Sequence, residues 1–149
     1  MTDTKMVIGR AEPLTFPDAQ VYDMVAKVDT GAYRSSIWAT KIREENGTLK
    51  FVLLGPSSPH YSGVMLSTEE YKVVEVENSF GHKQKRFSVF LTVEIHGKRI
   101  RSNFTLANRA AKTYPALIGR KMLKGRFVVD VNAGTPLKDE ETSGDDSLE

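Results

Sequence analysis

The stretch from Phe87 to Ile95 restricts this chain more than any other. Phe87, Val89, Leu91, Val93 and Ile95 are apolar and take every second place, with Ser88, Phe90, Thr92 and Glu94 between them. A period of two belongs to a strand with one face in a core. His96-Gly97 follows, and then Ile100, Ser102, Phe104 and Leu106 alternate with Arg99, Arg101, Asn103 and Thr105. Two such runs around a short glycine turn predict a β-hairpin. Further strands are expected over 23–28, 49–54, 71–76 and 127–131. Helical pattern is confined to 119–123, closed by Gly125, with one more turn expected over 107–112. Many short strands and little helix predict an all-β barrel or sandwich. Residues 1–20, with Pro13 and Pro17, read as an extended arm or edge strand. The run 55–63 (G-P-S-S-P-H-Y-S-G) reads as a loop.

A length of 149 residues suits one domain. Its expected limits are residues 1–133, followed by a disordered acidic tail over 134–149. The net charge of +2 conceals an asymmetry. Six of the 19 acids lie in 139–149, which holds no Lys or Arg, so the remainder carries 21 bases against 13 acids, or +8. A body of that charge attracts polyanions or acidic peptides. The bases are scattered rather than interleaved with aromatics, so direct nucleic-acid binding is not expected. The absence of cysteine excludes a disulfide framework, a thiolate nucleophile and Cys-ligated zinc. No apolar run is long enough to span a bilayer. The first ten residues lack the apolar centre of a secretory signal, so a cytoplasmic protein is expected.

The stretch that carries chemistry is A-K-V-D-T-G-A-Y-R-S-S at 26–36. A strand that ends in Asp29-Thr30-Gly31 places a carboxylate at the mouth of a tight turn. Gly31 lets backbone and substrate approach closely, and Thr30 offers a hydroxyl to brace the turn. Asp-Thr-Gly is also ordinary turn chemistry. The second half of the signal is Ala116-Leu117-Ile118-Gly119-Arg120-Lys121-Met122-Leu123, an apolar strand end, a glycine and a short helix.

Together these two motifs resemble those of the retropepsin-like aspartic peptidases, in which apolar-Asp-Thr-Gly-Ala precedes apolar-apolar-Gly-Arg-x-x-Leu. The resemblance narrows further. I-G-R-A-E-P at 8–13, A-K-V-D-T-G-A at 26–32, L-A-N-R at 106–109, Y-P-A-L-I-G-R at 114–120 and R-F-V-V-D at 126–130 look like the RimK-associated, RimB-like subfamily. Its members are widely labelled ATP-dependent zinc proteases. The match covers roughly residues 7–132. It implies a retropepsin-like closed barrel with one or two short helices. It also implies a functional link to RimK-type ligases, which add glutamates to a small-subunit ribosomal protein.

The resemblance further implies an aspartic peptidase mechanism. Such enzymes need two carboxylates and this chain has one Asp-Thr-Gly, so the active form is expected to be a homodimer with Asp29 of each copy at the two-fold axis. Carboxylates about 3 Å apart share one proton, as is general for the paired aspartates of these peptidases. The ionised aspartate activates a water and the protonated one polarises the scissile carbonyl. Asp29, Thr30 and Gly31 form the expected catalytic turn, with Ala32 beside it. Residues 77–87 (E-N-S-F-G-H-K-Q-K-R-F) lie where the family keeps its flap, with Asn78, Ser79 and Gly81 suited to the tip. Lys83, Lys85 and Arg86 make that flap cationic. With Arg34 and Arg109, these bases are expected to bind acidic side chains or the free carboxylate of an oligoglutamate tail, because the planar guanidinium fork matches a carboxylate. A solvated surface charge is the plain alternative for each.

Other residues point elsewhere. His60, His82 and His96 lack the spacing of a zinc site, and no phosphate-binding G-x-x-x-x-G-K-[ST] occurs, so neither metal nor cofactor is expected. Asp130 lacks a following Thr-Gly and is expected to pair with Arg120 or Arg126. Trp38 reads as core, and Ser35 and Ser36 as small residues packed near the aspartate. The expected function is trimming of glutamates from a glutamylated, acidic protein substrate. Two alternatives stay open: a non-catalytic module of the same fold that binds acidic tails or the ribosome, and an RNA-binding barrel.

Overall fold

The computed structural model describes residues 4–78 and 80–138. Eleven strands follow in chain order: β1 (Met6–Ile8), β2 (Ala11–Phe16), β3 (Val21–Val28), β4 (Ser35–Glu45), β5 (Thr48–Leu53), β6 (Met65–Thr68), β7 (Tyr71–Glu77), β8 (Lys83–Ile95), β9 (Lys98–Ala107), β10 (Ala116–Ile118) and β11 (Phe127–Val129). The α-helix α1 (Arg120–Leu123) is a single turn, and Pro17–Ala19 forms a 3-10 turn. Among the described residues no helix is long and apolar enough to cross a membrane.

The predicted hairpin is present as β8 and β9, antiparallel from Ile95↔Lys98 to Ser88↔Thr105. Its turn residues His96 and Gly97 both take positive φ, 49° and 79°, the geometry that matches the twist of the flanking strands. Val89, Leu91, Val93 and Ile95 are buried, as the alternation requires. They join one core with Phe16, Phe51, Phe104 and Trp38. Phe16 and Phe104 meet edge to face, with centroids 5.5 Å apart. Each such fully buried side chain stabilises the fold by about 1.5–3 kcal/mol.

Hydrogen-bonded neighbours run β10–β3–β2–β8–β9–β4, and β4 returns to β10, so the six strands form a ring. The retropepsin-like all-β architecture is therefore present. β5 and β6 extend from β4, and β7 lies along the outer half of β8. The ring closes at β10, which is parallel to β3 through Ile118↔Val28 and antiparallel to β4 through Leu117↔Ser36.

Several local expectations change. Residues 11–16 are no edge arm, because β2 pairs with both β3 and β8. Pro13 is tolerated because at its position the only partner is Val25. The turn expected over 107–112 is not helical: β9 continues to Ala107 and a loop follows, held by Lys112 N–H donating to the Arg109 carbonyl at 3.0 Å. The expected disordered tail begins at Gly134, yet residues 134–138 dock on the body. Thr135 N–H donates to the Ala11 carbonyl, Leu137 is buried against Ala11 and Tyr114, and Lys138 N–H donates to Tyr114 Oη at 2.8 Å. The acidic run from 139 onward lies outside the described residues.

Candidate active site

Asp29 stands one residue past the end of β3 and is half-buried. Its main chain is tied down by β10, because its N–H donates to the Ile118 carbonyl at 2.9 Å. Its side chain is held by the turn it begins: Oδ1 accepts the Gly31 N–H at 3.0 Å, and the Asp29 carbonyl accepts the Ala32 N–H at 3.2 Å. A Cβ on Gly31 would lie 3.2 Å from Asp29 Oδ1, closer than most side chains pack. The missing side chain at residue 31 therefore leaves the carboxylate its space.

The second motif locks onto the first. Gly119 N–H donates to Ser35 Oγ at 3.0 Å, Arg120 N–H to the Ala32 carbonyl at 2.8 Å, and Lys121 N–H to the Tyr33 carbonyl at 3.0 Å. The short helix thus satisfies its first N–H groups on the loop that follows Asp29 rather than on a side-chain cap. Arg120 Nη1 also donates to the Thr30 carbonyl at 3.1 Å. Ser35 is accordingly a bracing residue, as expected of a small polar group beside the turn. Ser36 Oγ is buried with no hydrogen-bond partner among the described residues, and it lies on the wall of a cleft.

That cleft, about 710 Å³, runs between the loop after Asp29 and the hairpin of β7 and β8. The hairpin lies where the flap was expected. Its strands pair from Glu77↔Lys83 inward, and Asn78 Oδ1 accepts the N–H groups of Phe80 and His82 at the tip. Ser79, also expected at the tip, lies outside the described residues. Phe80 is 82% exposed there. Gly31, Ala32, Arg34, Arg86 and Arg109 all line this cleft, so five of the seven expected site residues come together. Lys83 lines it too but sits 3.8 Å from Glu75, while Lys85 does not line it.

Asp29 and Arg109 share an adjoining hollow of about 400 Å³, together with Lys27 and Lys112. Arg109 Nε donates to the Tyr114 carbonyl at 3.0 Å. Its guanidinium is held below its ordinary pKa by burial first and by Arg86 second, while Asp29 pulls in the opposite direction. Arg109 therefore feels both Arg86 and the aspartate. Arg86 is steadied by two hydrogen bonds to Gln84 Oε1, at 2.9 and 3.1 Å.

Thr30 turns the other way. It is exposed and borders a separate basin of about 710 Å³ with Tyr33, Arg120 and Lys121. The cations of Arg34, Arg120 and Lys121 stand 5.7, 5.9 and 5.9 Å from the Tyr33 ring centre. Tyr33 and Lys112 are site residues that the sequence pattern did not single out. Tyr33 directly follows the Asp-Thr-Gly-Ala run. Lys112 has no sequence signal beyond lying three places after Arg109.

The remaining residues take structural places. Trp38 is buried in the core. Asp130 pairs with neither expected arginine. Its Oδ1 accepts the Asn132 N–H at 2.8 Å, while Arg120 and Arg126 donate to main-chain carbonyls. His96 bonds the buried Glu12 carboxylate at 2.8 Å, which removes it from any metal set. Among the described residues no group of three or more His, Asp or Glu is placed to hold a metal ion.

An Asp-Thr-Gly turn at the end of one ring strand, crossed by an apolar-Gly strand and faced by a hairpin, is the arrangement of a retropepsin-like domain. The chain belongs to the RimB-like family, described as retropepsin-like aspartic endopeptidase RimB, whose model matches residues 7–135. Curated relatives include a probable alpha-L-glutamate ligase of Shewanella pealeana, 31% identical over 137 residues. That match takes in 87% of this chain and 29% of the relative. A probable alpha-L-glutamate ligase of Desulfotalea psychrophila is 27% identical over 130 residues, covering 85% of this chain and 28% of its own length. The chain thus spans less than a third of the curated relatives it matches. A crystal structure of a Legionella pneumophila protein of unknown function is similar at a TM-score of 0.65 and 27% identity, covering 88% of this chain and 97% of its own.

Proposed function

We propose that the protein is a cytoplasmic aspartic peptidase, active as a homodimer, that trims glutamates from a glutamylated protein such as a small-subunit ribosomal protein. One observation carries this reading: the half-buried Asp29, its carboxylate held by the Gly31 N–H and its own main-chain N–H bonded to the Ile118 carbonyl, opens beside a cleft bearing Arg34, Arg86 and Arg109. Each copy supplies one aspartate, and two brought together share a proton. The ionised member takes a proton from water, and the protonated member polarises the scissile carbonyl and then donates to the leaving nitrogen. The arginines neutralise neighbouring carboxylates of the substrate and orient the chain. Relatives named as probable glutamate ligases carry a matching segment, which supports a link to a RimK-type ligase whose product this protein shortens.

The test is Asp29→Asn, which keeps the hydrogen bond to Gly31 and removes the acid–base pair. Mass spectrometry of a glutamylated protein should show stepwise loss of glutamate with the parent and a fall on the order of 10³-fold with the variant. Undiminished trimming by Asp29→Asn refutes the mechanism.

A further inference from the structure

Arg109 is a wall common to three cavities: the cleft under the hairpin, the hollow holding Asp29, and a pocket of about 280 Å³ on its far side. Lys112 lines the last two. Both cations sit on one tight turn, closed by the hydrogen bond from Lys112 N–H to the Arg109 carbonyl. The buried rings of Trp38 and Tyr114 line the same pocket, as does His60. Among the described residues no acid lines this pocket, and Asp29 is the only acid in the hollow beside it. Arg109 bonds Tyr114 through Nε, and its terminal nitrogens have no partner among the described residues.

A pocket lined by three cations, Arg109, Lys112 and Lys138, with aromatic walls and no acid among the described residues, favours one kind of guest, a carboxylate on a short flexible stem. The volume lies at the low end for ligand pockets, so it takes a side chain or a chain end rather than a folded segment. We infer that this pocket is a second acid-binding subsite, in which Lys112 and Arg109 hold a carboxylate of the polypeptide whose scissile region lies at Asp29. The inference rests on the reading of the cleft as one for acidic chains. With Arg34 and Arg86 on the hairpin side of Asp29 and Lys112 on the other, the protein grips an acidic chain on both sides of the aspartate. Length selectivity follows. A chain long enough to reach both sides binds more tightly than one that reaches only the hairpin side.

Fluorescence anisotropy on the Asp29→Asn protein, which prevents turnover, tests this with labelled peptides of two and six glutamates. Lys112→Ala should weaken the six-glutamate peptide about tenfold, leave the two-glutamate peptide within about twofold, and recover with Lys112→Arg. Equal weakening of both peptides, no weakening of either, or no binding of the longer peptide overturns the subsite. Cleavage is scored separately with the Asp29-containing protein. A protein that cuts neither peptide but shows the length-selective effect of Lys112 retains the subsite and loses the peptidase mechanism.

Discussion

Gly119 presses against the main chain of Arg34: a Cβ at residue 119 would lie 2.5 Å from the Arg34 carbonyl oxygen. Neither backbone can yield, because Gly119 N–H is bonded to Ser35 Oγ and β10 is paired on both edges. Gly119→Ala should therefore cost about 2 kcal/mol or more. A fall of about 2–4 °C in Tm per kcal/mol is the readout for a chain of this size. An unchanged Tm would show that the crossing is looser than described.

Gly31→Ala separates activity from folding. The added methyl meets a side-chain oxygen, Asp29 Oδ1, at 3.2 Å, so the carboxylate shifts by a few tenths of an ångström while the fold absorbs little strain. The variant should unfold within about 1 kcal/mol of the parent yet lose activity by a factor of tens, because catalytic groups misplaced by a fraction of an ångström lose rate steeply. Parallel urea titration and peptide-cleavage assays check both halves.

Shared aspartates predict dominance. When the parent is mixed with a tenfold excess of Asp29→Asn and allowed to exchange subunits, most parent chains pair with a variant copy. Activity per parent chain should fall about tenfold. Activity that scales only with the amount of parent chain, at any excess, would show that one copy suffices.

Arg109 illustrates a site residue that costs the fold something. Burial and the nearby Arg86 both disfavour its charge, and Asp29 only partly offsets them. Arg109→Gln keeps a donor for the Tyr114 carbonyl while removing the cation. Its stability should equal or exceed the parent's, whereas affinity for acidic peptides should drop at least about tenfold, since hydrogen bonds to charged groups are worth about 1.5–3 kcal/mol. Isothermal calorimetry with paired denaturant curves tests the opposed signs.

Glu12 is buried, 3% exposed, and accepts from Gly9 N–H at 2.6 Å as well as from His96. Glu12→Ala strands a buried donor and should destabilise by about 2–3 kcal/mol. His96→Ala leaves the Gly9 bond intact and removes a half-exposed partner, so about 1 kcal/mol is expected. Denaturant midpoints that rank the two variants in the reverse order would refute this division.

The sequence announced these features unevenly. Strands with one wet face, such as β8 and β9, alternate visibly because solvent sorts their residues. β4 does not: Ser35 through Ala39 are all buried, covered on both faces, and the alternation vanishes. Without β4, the Asn46-Gly47 turn that joins it to β5 had nothing to join, although both residues take the positive φ typical of a hairpin. At the site, Asp29, Gly31 and Gly119 were legible because backbone geometry demands those residue types. Arg34, Arg86 and Arg109 were suggested only by charge and by resemblance, and the fold gathers them along one cleft. Tyr33 directly follows the motif but carries no charge to draw notice, and Lys112 was hidden, since a loop path places it.

The three-residue strand β10 bridges β3 and β4, and its Ile118 carbonyl is what anchors Asp29. Residue 118 must therefore arrive before residue 29 has its geometry, although almost ninety residues are made between them. A ring sealed by so distant a segment forms slowly, because the long loop must close before its contacts reward it. The emerging polypeptide accordingly carries an unformed turn at Asp29 until the segment through Ile118 has been synthesised, and the geometry of that turn is set only with completion of the ring.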